Sequence, residues 1–142
     1  MASQFYLEII TPERTFYKGE VESVIIPTVG GQMGILKGNI PLVTALQSGE
    51  VKIKKDGKWY YAANSEGFAE VTQEKVVLFC QTVFWPGEME MADLVEKERR
   101  QQEALDMARD EKAFQLAKLA LLRTYAKISV KKEHPTDAML DD

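Results

Sequence analysis

The sequence is poor in the residues from which most catalytic and metal sites are built, since it has one cysteine and one histidine. A lone Cys80 excludes an internal disulfide, and its surroundings, VVLFCQTVF, predict a small buried side chain. His134 lies near the C-terminus with no second histidine or cysteine beside it, so neither a catalytic triad nor a zinc site can be assembled. We therefore predict no catalytic residues, no metal and no cofactor.

Long apolar runs and an excess of positive charge are also missing. No window of about 18 apolar residues could span a membrane, and the start MASQFYLEII lacks the features of a signal peptide. With 18 basic and 22 acidic residues, the net charge is -4, which gives no general attraction for nucleic acid. The 142 residues, 45% of them hydrophobic, suit one cytosolic-type soluble domain or a small domain with an appendage.

Glycine and proline are absent from most of the second half of the chain. Every glycine, and every proline except Pro135, lies at or before Gly87. Up to that point short apolar runs alternate with turn residues, and Asp56-Gly57 between VKIKK and KWYYAA predicts a β-hairpin. This pattern predicts an antiparallel β-sandwich or barrel.

The segment 88–130 is rich in strong helix formers and predicts a hairpin of two α-helices. A turn is expected near Arg109–Glu111, with Asp110 as the cap of the second helix, although one long helix remains an alternative. The apolar stripe expected on the second helix consists of Phe114, Ala117, Leu121, Tyr125 and Ile128. We accordingly divide the chain into a β-sandwich at 1–86, a helical domain at 87–132 and a flexible tail at 133–142.

The second helix is also strongly basic. Between residues 112 and 132 there is no acidic residue, and the six basic ones are Lys112, Lys118, Arg123, Lys127, Lys131 and Lys132. Basic residues near a helix C-terminus complement the helix dipole, and they can also engage an acidic partner or an anionic surface. Both interpretations stay open from the residues alone.

The segment VGGQMGILKGNIPLVTAL raises the question of nucleotide binding. It lacks the Gly-Lys-Ser/Thr order of a P-loop. In Lys37-Gly38-Asn39 the lysine precedes the glycine, and the third residue carries no hydroxyl. It also lies between predicted strands instead of between a strand and a helix. Its glycines are therefore interpreted as turn residues of the sheet.

Several motifs in one order resemble the epsilon subunit of bacterial and plastid F-type ATP synthases. They are LEIITPERTFYKGEVESVIIPTVGGQMGILKGNIPLVTALQSGEVKI and, further on, NSEGFAEV. The resemblance implies an N-terminal antiparallel β-sandwich followed by a C-terminal two-helix α hairpin that may extend. It also implies a non-catalytic rotor subunit of the central stalk, which couples c-ring rotation to ATP synthesis. Such a subunit is peripheral, on the cytoplasmic face of the cell membrane, and meets the membrane only through the complex.

The resemblance places the segment Gly31 to Thr44 against the c-ring and the gamma subunit. The candidate contacts are Gln32, Asn39, Pro41, Leu42 and Thr44. Two of them depart from the family pattern, because Gln32 replaces an acidic residue and Asn39 replaces a histidine. We expect hydrogen bonds instead of charge contacts at these two positions.

The resemblance further implies that the helices can extend into the catalytic head and restrain ATP hydrolysis. Lys118, Arg123 and Lys127 are the candidates for contact with the acidic loop of the catalytic beta subunits, beside the alpha subunits. Some family members bind ATP on the hairpin, but here Ala113 and Leu116 replace the acidic residue and the first arginine of that pattern. We therefore expect weak or absent ATP binding. The alternative hypothesis is a free-standing β-sandwich adaptor with a helical partner-binding arm.

Overall fold

The first part of the chain forms two five-stranded sheets in the computed structural model, which describes residues 3–137 and 139–140. The strands are β1 Phe5–Ile10, β2 Thr15–Val21, β3 Ser23–Thr28, β4 Gly31–Ile35, β5 Leu42–Leu46, β6 Gly49–Lys55, β7 Lys58–Asn64, β8 Gly67–Val71, β9 Lys75–Cys80 and β10 Val83–Phe84. Sheet A has the order β2-β1-β9-β8-β5, and sheet B has the order β10-β7-β6-β3-β4.

The two sheets enclose one hydrophobic core, because their strands place alternate side chains on opposite faces. In β1, Phe5, Leu7 and Ile9 are buried while the residues between them are partly exposed. This arrangement confirms the predicted β-sandwich. Neighbouring strands run antiparallel, with one exception: β1 pairs with β9 in parallel.

The hairpin predicted from Asp56-Gly57 is present and joins β6 to β7. Asp56 has φ 53° and Gly57 has φ 75°. Positive φ at both central residues is what the tight turns matched to the strand twist require. The register of β6 against β7 is therefore fixed locally.

Two α-helices follow the sandwich after the short 3₁₀ helix Pro86–Glu88. They are α1, Met91–Asp106, and α2, Glu111–Glu133. The Asp110 carboxylate accepts a hydrogen bond of 2.8 Å from the N–H of Ala113, which caps α2 as predicted. The chain therefore forms the hairpin of two helices and not the alternative of one long helix.

The hairpin lies on sheet B through α2, which contacts β6 and β7. A second apolar cluster forms this contact, with Ala63 of β7 packed against Met89, Leu94 and Val130. The predicted stripe on α2 is partly wrong. Leu121 is buried, but Phe114 and Tyr125 are 39% and 42% exposed. Phe114 precedes Leu121, the first buried residue of α2, and Tyr125 borders a groove lined by Val95 and Gln102 of α1.

The tail predicted to be flexible makes contacts that the sequence does not indicate. The His134 ring stacks on the Tyr61 ring of β7, with 3.7 Å between centroids. Leu140 packs against the core cluster of the sandwich. These contacts bring the described residues after α2 back onto the β domain, while the last two residues lie outside the described part.

Candidate functional site

The segment from Val29 to Leu46 crosses from sheet B to sheet A along one edge of the sandwich. Strands β3 and β4 are joined by a two-residue turn, where Thr28 Oγ1 donates to the Gly31 carbonyl at 2.7 Å. After β4, the Asn39 N–H donates to the Leu36 carbonyl at 3.2 Å, and Gly38 adopts φ 82°. Glycine tolerates that backbone conformation, so Gly38 shapes this second turn.

The structure does not bring the five predicted interface residues together. Gln32 lies beside the β3–β4 turn, whereas Asn39 and Pro41 lie in the loop after β4, at the opposite end of that strand. Four residues of extended chain between Gln32 and Leu36 span roughly 13 Å. Leu42 and Thr44 belong to β5 and are only half exposed, and Leu42 packs against the core. The segment therefore offers two separate surfaces.

Apolar side chains on this segment are more exposed than most of the predicted contacts. The exposed fractions are 75% for Val29, 63% for Leu36, 78% for Ile40 and 71% for Val43. Bare apolar groups grouped on one edge are typical of a surface that meets another protein. Sequence reasoning missed them, although the run ILKGNIPLV contains more apolar residues than one edge strand can bury.

The basic residues predicted on α2 have very different surroundings. Arg123 forms a paired ion contact with Glu66, which lies between β7 and β8; its Nε is 2.9 Å from both carboxylate oxygens. Ser48 Oγ donates to the same carboxylate at 3.2 Å. Lys127 lies over the Phe84 ring at 4.8 Å from its centroid. Lys118 is exposed.

Two pKa shifts follow from these surroundings. The hydrogen bond from Arg123 lowers the pKa of Glu66, so that this carboxylate is charged whenever the ion pair is formed. Burial lowers the pKa of Lys127, and the nearby Lys97 and Arg123 lower it further. Arg123 and Lys127 are therefore already used in holding α2 against the sandwich, whereas Lys118 is not.

A second ionic contact fixes the linker between the sandwich and the helices. Both Nη atoms of Arg14 donate to the Glu88 carboxylate, at 2.8 and 3.0 Å, and one also donates to the Val83 carbonyl at 3.1 Å. Glu88 in turn accepts from the N–H of Trp85 at 2.9 Å. Burial would raise the pKa of Glu88, but the Arg14 and Trp85 hydrogen bonds lower it overall.

Glu66 and Glu88 are the functional partners that sequence reasoning did not find. Glu66 is 57 residues from Arg123, and Arg14 is 74 residues from Glu88. No spacing rule links residues so far apart. In the sequence, NSEG indicates only a turn between two strands, so nothing there pointed to a helix residue as the partner of Glu66.

Ala113 and Leu116, which replace the ATP-binding acid and arginine of the family pattern, are both exposed on the first turns of α2. Leu116 gives no positive charge for a phosphate group, and Ala113 gives no carboxylate to accept a hydrogen bond. The helices in the described part of the chain are too polar or too short to cross a membrane.

A two-layer β-sandwich followed by a docked helical hairpin defines the class of this protein, and comparisons with known proteins agree. The family model described as ATP synthase, Delta/Epsilon chain, beta-sandwich domain matches residues 4–86. The ATP synthase epsilon chain of Caldanaerobacter subterraneus subsp. tengcongensis is 38% identical over 131 residues, which cover 92% of this chain and 95% of the relative. That of Alkaliphilus oremlandii is 40% identical, over 78% of this chain and 83% of the relative. The chain belongs to the ATP synthase epsilon chain family.

Solved structures show the same fold at lower identity. A chain of the Euglena gracilis mitochondrial ATP synthase, solved with OSCP, F1 and c-ring, superposes with a TM-score of 0.75 at 21% identity, over 89% of this chain and 80% of that one. A chain of the Tetrahymena thermophila central stalk and c-ring superposes with a TM-score of 0.63 at 14% identity, over 89% of this chain and 98% of that one. Family membership favours an ATP synthase subunit over the free-standing adaptor.

Proposed function

We propose that the chain is a non-catalytic rotor subunit in the central stalk of a bacterial ATP synthase. It transmits c-ring rotation to the catalytic head and restrains ATP hydrolysis through its hairpin. The observation that carries the proposal is that a closed sandwich presents bare apolar side chains at both ends of β4. Family membership and the likeness to chains from central-stalk structures support it. The chain is then peripheral, at the cytoplasmic face of the membrane.

The two ends of β4 suit two partners at once. The β3–β4 turn with Val29 and Gln32, and the loop with Ile40 and Pro41, are separate surfaces. A subunit that links the c-ring to gamma needs two such surfaces, because a torque must enter at one contact and leave at another. Neutral Gln32 and Asn39 contribute hydrogen bonds to these contacts, so salt should weaken them little.

Coupling is tested in membrane vesicles with the assembled complex. Ile40→Asp places a charge in the most exposed apolar position of the loop, and Gln73→Asp is the matched control in the exposed β8–β9 turn. We expect Ile40→Asp to reduce ATP-driven ion pumping severalfold per ATP hydrolysed, with Gln73→Asp unchanged. Normal pumping by a fully assembled Ile40→Asp complex would contradict the coupling surface.

The restraint of hydrolysis rests on a competition at Arg123. When α2 lies on the sandwich, Arg123 is bound to Glu66 and cannot contact the acidic loop of a beta subunit. Extension of the hairpin must therefore break that ion pair. Lys118 is exposed in the docked form, so it can make such a contact without breaking an ion pair with the sandwich.

This competition predicts effects of opposite sign on the ATPase activity of the complex. Glu66→Gln frees Arg123 and should lower hydrolysis, whereas Arg123→Gln removes the inhibitory contact and should raise it. Lys118→Gln should raise hydrolysis, with Lys112→Gln as the matched control at an exposed position near the start of α2. Equal hydrolysis in all four variants would remove the restraint from the proposal and leave the coupling role.

ATP should not act as a direct ligand of this hairpin. Leu116 gives no positive charge for phosphate, and Ala113 gives no carboxylate. We expect calorimetry of the full chain with ATP to show no binding in the micromolar range. A micromolar dissociation constant would contradict this expectation.

A further inference from the structure

The only histidine of the chain ends α2 and lies against the sandwich. The His134 N–H donates to the Val130 carbonyl at 2.9 Å, which places its ring at the last turn of the helix. That ring stacks on Tyr61 of β7 at an interplanar angle of 7°, and its side chain is only 16% exposed. His134 is therefore part of the contact between the hairpin and sheet B.

Both ring nitrogens of His134 face carboxylates. Nε2 lies 3.1 Å from Glu50 Oε2 of β6, and Nδ1 lies 3.0 Å from Asp137 Oδ2 just after the helix. Glu133 Oε2 is 3.8 Å from Nε2. A neutral imidazole donates from one nitrogen only, so the two short contacts are both hydrogen bonds only when the cluster holds an additional proton.

The charged groups around the His134 ring link that proton to the docking of α2. Burial raises the pKa of Glu50 overall, although the nearby charges of His134 and Lys52 act in the opposite direction. Lys52 Nζ is 3.8 Å from Glu50 and lowers its pKa, whereas the like charge of Glu133 raises it. The charged and titratable groups around the ring are thus Glu50 and Lys52 from β6, Tyr61 from β7, Glu133 from α2, and Asp137. Without a positive ring, Lys52 is left to offset the charge of Glu50, which burial and Glu133 both disfavour.

We propose that His134 is a proton-dependent latch between the C-terminal end of α2 and strands β6 and β7. The protonated ring bridges Glu50 and Asp137 and holds the helix end down. Loss of the proton leaves the carboxylates without their bridge and loosens the last turns of α2. The latch therefore opens as pH rises, because the ring loses its positive charge when it releases the proton.

A metal ion is the competing occupant of this cluster. Ligand atoms of Glu50, Glu133 and His134 lie within 4.8 Å of one another. The distances of 3.1 and 3.0 Å from the two ring nitrogens are hydrogen-bond distances, however, and they already use both nitrogens. A proton therefore satisfies the arrangement as it stands, and a metal is an outcome that the test can reveal.

Hydrogen exchange of the full chain at pH 6 and pH 8, corrected for the intrinsic pH dependence of exchange, tests the latch. We expect protection of the amides of residues 126–133 to fall about fivefold at pH 8. The amides of β9 are the internal control and should show no such step. His134→Gln should show low protection at both values, because its side chain cannot become positive.

His134→Arg separates a charge bridge from mere packing. Arginine stays positive throughout and can stack on Tyr61, so protection should be high and independent of pH. A pH step that persists in His134→Gln, no step in the unmodified chain, or protection at pH 6 that a chelator abolishes would each overturn the latch. The latch is tested by this measurement alone and does not rest on the proposed function, whose ATPase tests are separate.

Discussion

The sandwich and the docked hairpin are held by different kinds of contact. Among the described residues, the sandwich encloses a cluster of twenty buried side chains, whereas the cluster that joins the hairpin to it has four. Ionic contacts add to the smaller cluster, through Arg123 with Glu66 and His134 with Glu50. One region is thus fixed by apolar burial, and the other is attached by a few contacts that partner proteins or pH can exchange.

This difference matters for the proposed role, in which the sandwich transmits rotation and the hairpin leaves its docked position. Apolar burial involves no titratable group, so the contacts in the core of the sandwich do not respond directly to pH. Half-exposed ion pairs are individually weak, and a competing surface can replace them. The two ionic contacts also respond to pH in opposite directions, since Glu66 loses its charge in acid and the proposed latch loses its proton in base.

The largest effect is expected where a side chain is added at Gly67, whose backbone packs against that of Phe79. A Cβ at Gly67 would lie 1.8 Å from the Phe79 carbonyl oxygen, whereas a Cβ at Gly34 has no atom within 4 Å. Gly67→Ala should therefore lower the free energy of unfolding by about 3 kcal/mol or prevent folding, measured by urea denaturation. Gly34→Ala is the matched control and should be close to neutral; equal losses in both would contradict the close packing.

The same substitution in the two regions measures their difference directly. Leu7 is fully buried in the sandwich, and Leu94 of α1 is buried in the cluster that joins the hairpin to β7. Leu7→Ala should lower the free energy of global unfolding by about 3 kcal/mol. Leu94→Ala should instead expose the helices to hydrogen exchange while the β9 amides stay protected. If both variants loosened sandwich and hairpin equally, the two regions would form one cooperative unit.

A smaller effect is expected at the ion pair. Because Arg123 lowers the pKa of Glu66, the pair stabilises the docked hairpin above the ordinary carboxyl pKa of about 4.3. That contribution is lost as the pH falls through the lower pKa of the folded state. Glu66→Gln should weaken docking at pH 7 by about 0.5 kcal/mol, discounted for its partial exposure.

Hydrogen exchange of residues 121–130 at pH 7 and pH 3 checks this prediction. The unmodified chain should lose protection in acid, and Glu66→Gln should lose less. A variant that keeps the full acid-dependent loss would show that Glu66 is not its source.

The smallest effect is expected at Lys118, which is exposed and lies outside the contact with the sandwich. Lys118→Gln should change the free energy of unfolding by less than about 0.5 kcal/mol, measured by urea denaturation. A larger loss would mean that the exposed face of α2 also stabilises the docked state.

Local sequence signals predicted the elements well, because the physics behind them is local. Asp56-Gly57 specified a hairpin through its positive φ values, and Asp110 specified the start of α2 through its cap. The alternation of apolar side chains specified two-faced strands. The resemblance to a known family then supplied the arrangement of these elements, which no short motif determines.

Contacts between distant residues could not be predicted in this way. The exposure of Phe114 depends on how far α2 extends beyond its contact with the sandwich, and that of Tyr125 on which face of α2 meets α1. Helical periodicity determines neither. His134 looked isolated because its partners Glu50 and Tyr61 lie more than seventy residues away in sequence. The separation of the predicted interface residues has a local cause instead, since strand β4 between Gln32 and Asn39 sets their distance.

The parallel pairing of β1 with β9 has a consequence for the newly made chain. Sheet A cannot complete its central pair until Cys80 has left the ribosome, so the first strand must wait for nearly the whole sandwich to be synthesised. Contacts between residues so distant in sequence form slowly. The helices follow the strands β6 and β7 that they contact, so their docking surface leaves the ribosome before they do. A nascent subunit is therefore expected to present sheet B before the helices that pack on it have emerged.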